Sequence, residues 1–169
     1  METLDHDKNR QFLAAVYESA SKAEQLLGID SQFPHYRSIA GETTFHYLVV
    51  ENDLVRAAKL LDWGANINTQ DDFGATPLIH AVMMDYFEMV KWLIKRGASL
   101  ELKTVNGDTA LAVATSNEKA RIFQLLISLP RQHPIDFYYD DLTAQEIYDD
   151  KELVMRGHLI SLGLSERFA

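Results

Sequence analysis

A 33-residue period governs what this chain can fold into. Gly41, Gly74 and Gly107 are spaced by 33 residues twice, and a threonine follows two places after each: Thr43, Thr76 and Thr109. Apolar residues come next in step (Phe45, Leu78, Leu111), and later in each unit stand Leu60–Leu61, Leu93–Ile94 and Leu126–Ile127. Gly64-Ala65 and Gly97-Ala98 keep the same beat. Agreement at so many phases marks a chain built by stacking copies of one supersecondary unit, and its 169 residues hold about five of them.

The residues of one unit dictate its local form. Glycine at the turn admits a positive φ that other residues resist. The threonine then caps a first helix with its hydroxyl, and Pro77 takes the first helical position, where a missing N–H costs nothing. Short helices are expected over 45–51, 78–84 and 111–116. Polar breaks follow at Asn52-Asp53, Asp85-Tyr86 and Asn117-Glu118. The second helix places Leu54, Ala57, Leu60 and Leu61 on one face at spacings of three and four, answered by Phe87, Val90, Leu93, Ile94 and by Ala120, Phe123, Leu126, Ile127. Such helices are too short to stand alone, so the units must share a core.

The period, the Thr76-Pro77-Leu78 opening and the Gly97-Ala98 close resemble the ankyrin repeat. The resemblance implies an all-α solenoid of stacked helix–turn–helix units with β-turn fingers. One domain, 1–169, is expected, with repeats at 38–70, 71–103 and 104–134. The second matches best. The first has Thr44 in place of proline and keeps His46, and the third runs into Pro130. Degenerate capping repeats are expected at 8–37 and 135–163. Phe12 precedes Phe45 by 33, and Ser21-x-x-Glu24 reads as the cap of a helix carrying Ala23, Leu26 and Leu27. At the other end Leu159-Ile160-Ser161-Leu162 repeats Leu126-Ile127-Ser128-Leu129, after a connection without a turn glycine.

In this family partners sit on the concave face, made by the finger tips and the first helices. Transferred by phase, that face comprises Ile39, Ala40, Glu42, Val50 and Glu51 in the first full repeat, then Asp72, Phe73, Ala75, Met83 and Met84 in the second. The third supplies Val105, Asn106, Asp108, Ser116 and Asn117, with Gln70 and Lys103 on the connecting turns. Phe73 at a tip reads as a contact residue, since tips rarely have core to fill. Met83 and Met84 either line the groove or pack between neighbouring helices. Trp63 is either a convex-side contact or packs against the first unit, and packing is the preferred reading. The resemblance also implies that His46 bonds backbone between units, and His80 reads as a hydrogen-bonded residue of the core or groove.

Motifs for chemistry are missing from the sequence: it has no phosphate-cradling glycine loop, no His-Glu-x-x-His and no Gly-x-Ser-x-Gly. Its six histidines have no ligand spacing, and with no cysteine it has neither disulfides nor thiolate sites. The pairs Asp71-Asp72, Asp140-Asp141 and Asp149-Asp150 read as solvated surface. No catalytic residue, cofactor or metal is therefore expected. Sixteen basic residues against 25 acidic ones, a net charge of −9, speak against a nucleic-acid partner. No apolar run reaches a membrane-spanning length, and the charged N-terminus is unlike a secretory signal, so a cytoplasmic location is expected; a capped solenoid has little need to self-associate, so a monomer is expected.

These features lead to a non-enzymatic interaction module, a scaffold that holds a protein partner in its concave groove. An alternative is a dedicated acidic inhibitor of the immunity-protein kind, neutralising a basic toxin or enzyme. It rests on the acidic-aromatic stretch 136–152, where Asp140, Asp141, Asp149 and Asp150 would form a second surface. A further alternative is an effector delivered into a host cell.

Overall fold

The computed structural model describes residues 2–117 and 119–129. Among them are eight α-helices in four antiparallel pairs: α1 (Glu2–Glu18) with α2 (Ala20–Ile29), α3 (Thr44–Val50) with α4 (Leu54–Asp62), α5 (Pro77–Met83) with α6 (Phe87–Lys95), and α7 (Ala110–Ser116) with α8 (Ala120–Ile127). The pairs stack into one solenoid. The described residues contain no strand; a single isolated bridge joins Arg37 and Thr43. The first helices α3, α5 and α7 pack against one another more extensively than the second helices do. The first helices and the loops before them thus form one continuous side of the stack.

Local chemistry sets the ends of α3, α5 and α7 within one residue of those expected from sequence. Thr76 Oγ accepts from the Ile79 N–H and Thr109 Oγ from the Ala112 N–H, each at 3.2 Å. At α3 the cap is reciprocal: His46 Nδ1 accepts from the Thr43 N–H at 3.1 Å. The polar breaks close through left-handed residues, Asn52 at φ 58° and Asp85 at φ 59°. Asp53 then caps α4, accepting from the Arg56 N–H at 2.9 Å.

The apolar phases form one continuous core. Phe45, Leu48, Leu60, Leu78, Ile79, Met89, Leu93 and Ile122 are fully buried. The first unit joins it through Phe12, which is buried on α1 and packs its ring 5.5 Å from Phe33 and 6.4 Å from Trp63. Trp63 thus packs against the first unit, as expected. The cap of α2 differs: Ser19, two residues before Ser21, accepts from the Lys22 N–H. Ser19 stands at the junction where α1 ends, so its backbone is extended and free to cap.

The first two turns of α1 occupy the phase that a loop fills in later units. There Lys8 Nζ bonds Asp30 (2.9 Å) and the Tyr36 hydroxyl (2.6 Å), while the Tyr36 hydroxyl also donates to Asp30 (2.6 Å). The hydrogen bonds from Tyr36 and Lys8 pull the Asp30 carboxyl down to about 2, and those to Tyr36 and Asp30 raise the Lys8 ammonium. Buried Asn9 closes the junction by donating to the carbonyls of Tyr36 and Glu42.

Candidate protein-binding surface

Each loop is organised by a side chain at one phase: Ser38, Asp71 and Thr104. Ser38 Oγ accepts from the Ala40 and Glu42 N–H groups, and Thr104 Oγ from the Asp108 N–H. Asp71 Oδ1 accepts from the Phe73 N–H at 2.9 Å and the Ala75 N–H at 2.8 Å. A turn bond closes each loop, from Gly41 N–H to Ser38, Gly74 N–H to Asp71 and Gly107 N–H to Thr104.

Successive loops are tied by repeating bonds. The Asp72 N–H donates to the Ala40 carbonyl (3.1 Å), and the Val105 N–H to the Phe73 carbonyl (2.8 Å). Arg37 donates to the carbonyls of Gly41 (2.8 Å) and Gln70 (2.7 Å), and Gln70, one period on, to those of Gly74 (2.7 Å) and Lys103 (3.0 Å). Arg37 also reaches Asp72 at 3.3 Å. The loops therefore form a rail of fixed spacing.

The rail carries apolar tips. Ile39, Phe73 and Val105 are 82%, 65% and 69% exposed, although nothing about a soluble surface requires large apolar groups there. Met83 and Met84 are 46% and 44% exposed, so they do not pack away between helices. Glu51, Asp72, Asn106, Ser116 and Asn117 are likewise exposed, and Glu42, Val50, Ala40 and Asp108 are half-buried. Ala75 is a correction: it is 5% exposed, and its carbonyl is occupied by His46 and the Asp71 N–H, so it offers no side chain to a partner. Asp140, Asp141, Asp149 and Asp150 lie outside the described residues.

Two further residues belong to this surface. Tyr17 on α1 is exposed, one period before Val50 and two before Met83, and its hydroxyl donates to Glu51. Burial and that bond raise its phenol. Tyr47 is half-buried and donates to Glu42 at 2.8 Å. Subtracting one period from Val50 was the available signal for Tyr17.

Behind the middle loop lies a buried polar cluster. His46 Nε2 meets the Ala75 carbonyl at 3.2 Å, joining two units as the family resemblance implied. With Nδ1 accepting from Thr43, the ring is neutral with its proton on Nε2. Burial, and the neighbouring His80, lower it to about 4. His80 packs edge-on against His46 at 5.5 Å and pairs with Asp71 Oδ2 at 2.9 Å. Asp71 is buried, which corrects its expected place on the solvated surface; its neighbour Asp72 is exposed.

Comparison with known proteins decides the family. The model for ankyrin repeats in three copies matches residues 12–104 and, one period further on, 45–138. The chain belongs to the ankyrin-repeat family. An ankyrin repeat protein of Rickettsia felis is 29% identical over 125 residues, 73% of this chain and 41% of that protein. A second, from Rickettsia bellii, is 31% identical over 111 residues, 56% of this chain and 66% of the relative. BCL-6 corepressor-like protein 1 of Homo sapiens is 33% identical over 92 residues, 54% of this chain and 5% of the human protein. The chain thus spans less than two thirds of the length of these curated relatives.

Ankyrin repeats are a non-catalytic protein–protein interaction module, and residues 12–138 of this chain are built of them. Among its described residues no helix is long and apolar enough to cross a membrane.

Proposed function

We propose that this ankyrin-repeat protein holds one protein partner along the rail of loop tips and the adjoining inner helices. The observation that carries the reading is the exposure of Ile39, Phe73 and Val105 at the tips of three hydrogen-bonded loops, Phe73 one position after the phase of the other two, with Met83 and Met84 at the end of α5. Apolar groups held at fixed spacing on rigid elements lose little entropy on binding. Methionine adapts to an irregular apolar surface, and Phe73 supplies a large rigid contact. Glu42, Glu51, Asp72 and Asp108 interleave the apolar groups, so the matching partner carries basic residues among apolar ones.

The test is affinity capture from lysate at low and physiological salt, using the wild-type chain, a Phe73→Ala/Met84→Ala variant and a Val55→Ala control. Val55 is exposed on the outer helix α4. Loss of a captured protein in the double variant, with retention by the control, supports the rail as the binding face. Equal capture by all three rejects it. Capture that weakens steeply with salt identifies a basic partner, the property that an acidic inhibitor requires.

A further inference from the structure

We propose that the Asp71–His80 pair is the positioning device of the middle loop, fixing the direction in which Phe73 is presented. The inference rests on the reading that this loop contacts a partner, and it assigns the residues that aim it.

The three loops share a backbone path but not a mechanism. Ser38 and Thr104 organise their loops through neutral hydroxyls, whereas the middle loop uses the buried carboxylate of Asp71. One oxygen of that carboxylate receives the N–H groups of Phe73 and Ala75; the other receives the Nε2 of His80 from α5. At the phase of His80 the neighbouring units carry Tyr47 and Val113, so carboxylate and imidazole occur together in one loop only. That is the loop with the aromatic tip.

A carboxylate that is almost wholly desolvated needs strong donors on both oxygens. His80 meets that need and anchors the loop to helix α5. Edge-on against it, His46 of the preceding unit holds the Ala75 carbonyl, the far end of the same loop. Asp71 is thereby fixed from α5, and Ala75 from α3. Between these anchors Phe73 has little freedom to swing, and its carbonyl sets the position of Val105 in the next loop. Removing His80 frees Asp71 Oδ2, lets water reach the carboxylate and loosens both of the N–H groups it holds.

Residue-resolved amide hydrogen exchange on the full chain reads this directly, because the Phe73 and Ala75 N–H groups bond to Asp71 Oδ1. In His80→Leu the two amides are expected to exchange at least about ten-fold faster, with Val82 in α5 and Ala112 in α7 unchanged. His80→Gln, whose carboxamide N–H can reach the carboxylate, is expected to restore most of the protection. Unchanged exchange at Phe73 and Ala75 in His80→Leu, or no recovery in His80→Gln, overturns the proposal. Should His80→Leu accelerate exchange throughout, nitrogen NMR of the wild-type ring decides: a proton held on Nε2 supports the pairing, and an Nε2 without a proton overturns it. Failure of the capture experiment with Phe73→Ala/Met84→Ala would remove the binding surface but leave these exchange rates, and the positioning role, standing.

Discussion

His46 and Thr44 sit within one turn of α3 and have opposite fates. Both ring nitrogens of His46 are bonded, while the Thr44 hydroxyl is buried with no hydrogen-bond partner. Protonating His46 would break the bond from the Thr43 N–H. Its value in the fold, about 4, lies below the 6.5 of a free imidazole, so the unfolded chain takes up the proton more readily. The contribution is complete above pH 6.5 and is lost as pH falls towards 4, about 3 kcal/mol in all. Denaturant unfolding at pH 7 and at successive steps down to 4.5 should show that slope, and His46→Gln should flatten it. Thr44 calls for the reverse change. Pro77 holds the same phase in the next unit, and Thr43 (φ −94°, ψ 169°) matches Thr76 (φ −89°, ψ 163°), a backbone that precedes proline without strain. Thr44→Pro removes an unpaired hydroxyl and stiffens the unfolded chain, so a gain of about 1 kcal/mol in urea unfolding is expected.

At the scale of the element, the loops depend on glycine unequally. A Cβ on Gly74 would lie 2.9 Å from the Val105 nitrogen and 3.0 Å from the Lys103 carbonyl oxygen, both backbone atoms of the next loop. Gly97 has a similar positive φ but open space around it. Gly97→Ala should cost about 1 to 2 kcal/mol from backbone strain alone, and Gly74→Ala at least roughly twice as much, because the third loop must move. Urea unfolding of the two variants compares them. The sequence displayed what is local: threonine caps, turn glycines and apolar phases all lie within a few residues of what they control. It did not display Asp71, whose burial depends on a loop folding back onto His80, nine residues on. Nor could a period alone settle Met83 and Met84, because it places residues on a helix without saying where neighbouring units stop covering it. Ala75 escapes a phase argument for the same reason: its phase belongs to a loop, but the end of that loop turns inward.

The whole molecule inherits its cohesion from neighbour-to-neighbour contacts, so damage should spread from one unit to the next. Phe12 tests this. Its ring lies against Phe33 in its own unit and Trp63 in the following one, and Phe12→Ala should cost about 3 to 5 kcal/mol. The two tryptophans occupy different units, Trp63 after α4 and Trp92 in α6. Single-tryptophan variants should show the emission of Trp63 disturbed at lower denaturant than that of Trp92. Coincident transitions would instead mean that all units melt as one. The bonds of Arg37 and Gln70 have a consequence for how such a chain can change. The loops at Ser38, Asp71 and Thr104 meet through the same plug and socket, a donor at one phase and a carbonyl one period later. A tandem duplication of residues 70–102, which carries the Gln70 donor with it, would therefore splice in with that bond available at both junctions. It would lengthen the rail of loop tips by roughly 9 Å, the spacing of packed helices.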